Sequence, residues 1–361
     1  MPVNNLYHTW MRRISQLRPG ERINRLRNMV WLMVGIYKSK SVHLSQIALK
    51  IPGEAKVLST VQRLRRFLKN PTLRVRDWYE PIARMEIEAM ARSTGEVRLI
   101  ADGTKVGFHH QLLMVAVAFR QRAIPIAWTW VKNARGHSSA HKQLALLAYV
   151  QTLVPEDVPV LLVGDSEFGA VKVIGQVEAW DWWYVLRQKR SHLVKRPNRP
   201  CQAFGDLIQE AGESRWLGAG LLTAKHGLPT CLLAHWKKGE EEPWLLATNL
   251  PSRRLALRAY RRRMWIEEMF GDMKGHGFDL ESTHLRHFSR LSRLTLAVVL
   301  LYVWLISVGR KTIKDGDRHL VDRSDRRDLS LFQIGLRIVE RALTNGLSIP
   351  FRLLPVYGYK L

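Results

Sequence analysis

Residues 158–165 read VPVLLVGD. An apolar run of this length, without alternation, marks a strand buried on both faces, as in a parallel sheet covered by helices. Its last residue, Asp165, is an acid. Upstream, Val97 to Asp102 (VRLIAD) reads as a second strand that also ends in an acid. Gln111 to Phe119 and Ala123 to Val131 read as two further strands, close enough in sequence for an antiparallel meander. Ser138 to Val150 and Gly169 to Trp180 carry helical character, and Trp182 to Gln188 (WWYVLRQ) is strand again. The expected order is three strands, helix, strand, helix, strand, an α/β core. If the strands bearing Asp102 and Asp165 are neighbours, both carboxylates sit at one sheet edge. A lone strand-end Asp is more often a turn or cap residue, so the pairing carries the inference.

The chain has 361 residues, 46% of them apolar, enough for one large domain with a smaller companion or for two to three units. Its formal charge of +26 calls for a polyanionic partner, nucleic acid first and anionic membrane second. The longest apolar run, Leu294 to Gly309, is short for a span and flanked by Arg293 and Arg310, so it reads as a buried core helix. The N-terminus lacks an apolar stretch of signal-peptide type, and no membrane partner is expected. Cys201 and Cys231 give neither a zinc spacing nor a disulfide framework, which points to a reducing, cytoplasmic location.

Residues 1–90 read as helical and very basic. Val42 to Leu49 is a short amphipathic segment. Ile51-Pro52-Gly53 breaks it, and Ala55 to Leu68 resumes helical periodicity. Helix, turn and Arg-rich helix form a helix-turn-helix pattern, with Arg63, Arg65, Arg66 and Lys69 toward phosphate or the major groove. The alternative is a solvated basic face on a plain helical bundle. Residues 191–255 read as short strands, Gly218 to Ala224, Thr230 to Trp236 and Trp244 to Thr248, between polar turns. The tail, 311–361, holds an amphipathic helix near Leu329 to Leu343.

Tyr260, Arg263, Glu267 and Lys274 fall within about 60° of one another on an ideal helix. A carboxylate flanked by two cations and a phenol suits a metal ion and a phosphodiester. With Asp102 and Asp165, Glu267 supplies a third hard oxygen donor for Mg²⁺. Two such ions can activate water or a 3′-hydroxyl and stabilise the leaving oxygen. Glu268 lies about 100° round the helix from Glu267, Asp272 faces away, and Glu167 reads as a cap for the helix near Gly169. Arg187 and Lys189 read either as DNA contacts or as surface charge. His109-His110 and Gly136-His137 lack metal-ligand partners at useful spacing.

The run YRRRMWIEEMFGDMK at 260–274 resembles the Tyr-x2-Arg-x3-Glu-x6-Lys signature of bacterial insertion-sequence transposases, the DDE branch called the insertion-sequence-four family. The resemblance extends to Ala101-Asp102-Gly103-Thr104, Val163 to Gly169 and Val185-Leu186-Arg187, and covers most of the chain. It implies a ribonuclease-H-like catalytic core with Asp102, Asp165 and Glu267 as catalytic and metal-binding residues. The strand order above agrees with that fold by analogy. It implies a helical DNA-binding domain at 1–90, the core at 91–190, a β-rich insertion at 191–255, core completion at 256–310 and C-terminal helices at 311–361. Tyr260, Arg263 and Lys274 would grip phosphates of the transposon end. Trp244, in Trp244-Leu245-Leu246-Ala247-Thr248, would stack on a flipped base, with Trp236 as the fallback and a core tryptophan as the plain alternative. The implied cofactor is two Mg²⁺, with Mn²⁺ as a substitute. The implied partners are double-stranded transposon-end and target DNA and a second copy of the chain on paired ends, at the bacterial nucleoid. The rival readings are a nuclease of the same fold without strand transfer and a domesticated, DNA-binding-only copy.

Overall fold

The computed structural model describes residues 2–107, 110–132, 138–223, 225–355 and 357. Helices α1 (Pro2–Leu17), α2 (Ile23–Ser39), α3 (Leu44–Ala48), α4 (Val57–Lys69) and α5 (Val75–Thr94) open the chain. Then come β1 (Val97–Val106), β2 (His110–Phe119), β3 (Arg122–Lys132), α6 (Ala140–Gln151), β4 (Val160–Gly164), α7 (Val171–Ala179) and β5 (Trp183–Arg187). Short strands β6 (Leu193–Lys195) and β7 (Gln202–Ala203) precede β8 (Ser214–Leu222), β9 (Leu228–His235) and β10 (Trp244–Thr248). The chain closes with α8 (Arg253–Tyr260), α9 (Met264–Met273), α10 (Phe288–Asp315) and α11 (Leu331–Thr344).

The strands form one mixed sheet in the order β3-β2-β1-β4-β5-β10-β9-β8-β6-β7. The expected alternation of meander, helix, strand, helix and strand is present. β4 is buried along its whole length, as its unbroken apolar run requires. It lies parallel to β1 on one side and to β5 on the other. β3 carries Pro125, which cannot donate to a ladder. It sits opposite Ala116, where the β2–β3 register shifts. The strands of 191–255 do not make a separate sheet. β10 pairs antiparallel with β5, so they continue the core sheet outward. β8 starts earlier than its sequence suggests because an irregularity between Trp216 and Gly218 interrupts its alternation. Ala224, His109, Gly136 and His137 lie outside the described residues.

The chain divides into two compact units. One holds Ile87 to Glu268 apart from 106–108, and contains the sheet. The other gathers the N-terminal helices through Glu86 and the chain from Met269 onward. In the latter, α10 is long and apolar enough to cross a membrane, but 94% of its most apolar stretch is buried inside the protein. It is the core helix expected at Leu294 to Gly309, longer at both ends. Buried Arg293 on α10 donates to the carbonyls of Leu68 (2.8 Å) and Leu73 (2.9 Å), tying down the end of α4. Trp10 of α1 meets Trp304 of α10 edge-on at 5.3 Å and Phe351 of the tail at 4.8 Å. Ser330 caps α11 by accepting from the Gln333 amide.

Glu86 is fully buried in this helical unit, and the Tyr357 hydroxyl donates to it at 2.8 Å. Burial pushes its carboxyl up to about 8 from 4.5, against the lowering effect of that hydrogen bond. Below pH 4.5 both folded and unfolded chains hold the proton. Between 4.5 and 8 only the folded chain does, so this group's contribution makes stability fall as pH rises through that window. Glu86→Gln should remove the slope and stabilise the protein at pH 7 by about 3 kcal/mol. Thermal unfolding of both proteins from pH 5 to 8 checks this: the curves should diverge with rising pH, and parallel curves contradict it.

Candidate active site

Ala101 of β1 lies opposite Gly164 of β4 in parallel register. The next residue along each chain is an aspartate, so Asp102 and Asp165 come side by side where β4 ends. Asp102 is not a strand end, as expected from sequence. β1 runs on to Val106, still neighbouring β2, after β4 has stopped. Asp165 does end its strand, and caps the one-turn 3-10 helix Ser166–Phe168 by accepting from the Glu167 amide at 3.3 Å.

Asp102 is 4% exposed. Its carboxylate accepts from the Gly103 amide at 2.7 Å and from Arg263 Nη1 at 3.1 Å. Burial pushes the carboxyl up to about 7, Arg263 opposes that, and the charges of Asp165 and Glu267 add to it. Thus the charges of the other two predicted acids both reach Asp102. Glu167 does not cap the following helix. It accepts from the Ser138 amide (2.7 Å) and Gln111 Nε2 (2.6 Å) and so pins the chain after β3 and α6's start to β2. Gly103 leaves room for this pair: a Cβ would lie 2.6 Å from Glu167 Oε2 and 2.7 Å from Gln111 Nε2, so both side-chain ends would have to shift. Gln111 and Ser138 were not legible as site residues. A lone Gln in an apolar strand was the only signal.

The signature segment is not one regular helix. Ser252 caps α8, which ends at Tyr260, Arg261–Arg263 tighten into a 3-10 turn, and α9 resumes at Met264. The i, i+4 relation of Arg263 and Glu267 survives, with Arg263 Nη1 at 2.5 Å from Glu267 Oε1. The same Nη1 reaches Asp102, so one guanidinium joins acids 165 positions apart in sequence to the sheet edge. Burial would lower the Arg263 pKa, but neighbouring Tyr260, Asp102 and Glu267 hold it above its ordinary value. Glu268 pairs instead with Arg122 of β3 at 3.2 Å. Lys274 follows the last residue of α9, belongs to the helical unit, and pairs there with Glu281 at 2.9 Å.

Tyr260 is 1% exposed and packs among Val163, Val185, Leu246 and Ala256, with no partner for its hydroxyl among the described residues. Burial, above all, raises its pKa. It is a core residue before it is a surface contact. Trp244 is half-buried, edge-on to Tyr260 at 5.0 Å and near His235 at 5.5 Å. Trp236 sits apart, its indole donating to the Glu240 carbonyl at 2.9 Å, with Arg190 above the ring. Arg187 closes β5 next to Leu186, which pairs with Gly164, and holds Glu242 at 2.9 Å. Lys189 lies beyond the strand. Arg187, Trp244, Arg261 and Arg263 line a cleft of about 770 Å³ together with the acidic turn Glu240–Glu242. That acidic wall was not anticipated from sequence.

Among the described residues, no three His, Cys, Asp or Glu side chains already surround one cation position. The donor chemistry nevertheless fits a hard divalent cation. The charges of Asp165 and Glu267 both reach Asp102, and all three groups offer the hard oxygen donors such a cation takes.

Residues 93–304, more than half of the chain, match the family model described as the transposase DDE domain, and the chain belongs to that family. It is similar to a solved structure, the cryo-EM structure of a piggyBac transposase synaptic complex with hairpin DNA. That likeness has 9% identity and a TM-score of 0.42 over 98% of this chain and 82% of the other. No curated protein sequence matches the chain.

Proposed function

We propose that this protein is a DNA transposase of the insertion-sequence-four type, with a ribonuclease-H-like core that cuts and joins DNA at the terminal inverted repeats of its own element, by cut-and-paste. The observation that carries the reading is the register match of Asp102 and Asp165, with Glu267 tied to the same place through Arg263. In this reading residues 1–90 bind the repeats, 191–255 form an insertion flanking the DNA end, and two copies of the chain act on paired ends at the nucleoid.

Asp102, Asp165 and Glu267 would hold two Mg²⁺, or Mn²⁺ in their place. When bound, such ions activate the attacking oxygen and stabilise the leaving one. The chain's own residues supply the setting. β1 and β4 fix two carboxylates at one edge, and burial strips water from Asp102 and strengthens every charge interaction there. Arg263, a donor already shared by two acids, is placed to donate to a phosphate oxygen brought to the same edge. Arg187 and Arg261 extend that positive rim along the cleft, and Trp244 offers a half-buried ring for an unstacked base. Tyr260 supports the Trp244 ring from the core, and Lys274 contacts phosphate only after leaving Glu281. In the first step, a water oxygen bonds to phosphorus and the bond to the 3′ oxygen breaks, leaving a 3′-hydroxyl and a 5′-phosphate. In the second, that hydroxyl bonds to a target phosphorus and a target 3′ oxygen leaves, so the number of phosphodiesters is conserved and no nucleotide triphosphate is consumed.

The test is a labelled duplex carrying the DNA end that flanks the gene, mixed with supercoiled plasmid and Mg²⁺. Nicking at the boundary plus joined products is the expected outcome. Nicking without joining would favour a nuclease, and binding without cutting would favour a DNA-binding-only protein.

A further inference from the structure

A large basic groove lies away from the acids. It lies in the helical unit, between the start of α2, α4 and the turn before α5, with a volume of about 1390 Å³. Its lining arginines fall into two groups. Arg18 and Arg25 are engaged: Arg18 donates to the Asp77 carbonyl, and Arg25 holds Glu21 and Thr72. They knit the floor. Arg22, Arg63, Arg66 and Arg74 also line the groove, but their guanidinium groups make no hydrogen bond or ion pair among the described residues. The Nε of Arg63 is buried with nothing to receive its proton. An unmet charged donor in a buried position is costly. The lining carries six arginines against two acids, Glu21 and Asp77, so the groove is net positive and attracts an anion.

We propose that this groove is a DNA-backbone site, in which Arg22, Arg63, Arg66 and Arg74 each contact a phosphate of duplex DNA. The proposal rests on the transposase reading for its ligand. The size of the groove and the spread of its arginines over α2, α4 and the turn after α4 suit a polymer rather than a single phosphate. It differs from the helix-turn-helix reading, in which Arg63, Arg65 and Arg66 act together on one recognition helix. Arg65 turns to a separate cleft of about 330 Å³ with His43, His284 and Arg290. The groove instead recruits Arg22 from the start of α2 and Arg74 from the turn after α4, which no reading of α4 alone would name.

The test measures the affinity of the full-length protein for a fluorescent duplex as a function of salt. Each phosphate contact contributes about 0.9 to the slope of log affinity against log salt. Arg22→Ala/Arg74→Ala should lower the slope by about 2 and weaken binding about tenfold or more near 100 mM salt. Arg323→Ala/Arg327→Ala removes the same formal charge from exposed positions outside the groove and should stay within about twofold of wild type. Arg22→Lys/Arg74→Lys should keep the wild-type slope. Equal losses in the first two variants, or no loss in the first, would overturn the groove assignment. So would a lysine variant as weak as the alanine one, because that would signal a structural effect. Wild-type protein that fails to bind the duplex even near 50 mM salt would count against the transposase reading itself.

Discussion

Asp102→Asn should reduce DNA nicking by about a thousandfold or more, with duplex affinity within about twofold of wild type. The carboxylate is almost wholly buried, so it contributes little to the outer surface that meets DNA. Its oxygens face Arg263, and the charges of both other acids reach it. Asparagine keeps the shape and the acceptor for the Gly103 amide. It removes the charge that a hard cation needs. It also removes a buried carboxyl whose ionised form burial disfavours, so stability should hold or rise. Single-turnover nicking of an end duplex, with thermal unfolding beside it, separates the two effects. A variant that nicks at the wild-type rate would remove Asp102 from the site. A variant that has merely unfolded would show it in the melting curve.

Gly335→Ala should strongly destabilise the helical unit. α10 and α11 cross where Gly309 and Gly335 face each other. A Cβ on Gly335 would lie 2.0 Å from the Leu305 carbonyl oxygen, and one on Gly309 would lie 2.0 Å from that of Leu331. The obstacles are helix backbones, which cannot swing aside as a side chain can. Relief requires the two helices to separate along a contact that includes the stacked Tyr302 and Phe332 rings. The expected cost is about 3 kcal/mol or more, at the upper end for overpacked cores. Gly175→Ala is the matched control. Its Cβ would meet nothing within 4 Å, and helix propensity alone should stabilise the protein by up to about 1 kcal/mol. Similar unfolding temperatures for both variants would contradict this account of the α10–α11 contact.

Much of the core was legible because its signals are local. An unbroken apolar strand such as β4 must be covered on both faces, and a parallel neighbour follows from the helix between β3 and β4. Whether Asp102 and Asp165 align could be posed from sequence but answered only by register, since a slip of one residue would send one carboxylate to the opposite face. The pairing of β5 with β10 was not legible. It joins residues separated by the whole insertion, and nothing near Arg187 announces Leu246 as its partner. The helical stripe was half right. Three successive arginines tighten into a 3-10 turn, so ideal angles do not carry from Tyr260 through to Lys274. Arg263 and Glu267 still meet because four residues within one turn is a short-range relation. Tyr260 belongs to the core because it sits at the end of α8, where Ala256 and Ala259 also face the sheet. Glu167, Gln111 and Ser138 came together only through the fold, since hydrogen bonds between separate loops and strands leave no periodic trace.

The most direct test of the central claim replaces Asp165 with cysteine and measures nicking of the labelled end duplex in Mg²⁺ and in Mn²⁺. A thiolate is a poor ligand for Mg²⁺ and a better one for Mn²⁺. If Asp165 holds the metal, wild-type protein cuts in either ion, and Asp165→Cys is inactive in Mg²⁺ but regains activity in Mn²⁺. Equal activity of the variant and wild type in Mg²⁺, or wild-type cutting that persists in excess chelator, would contradict the account.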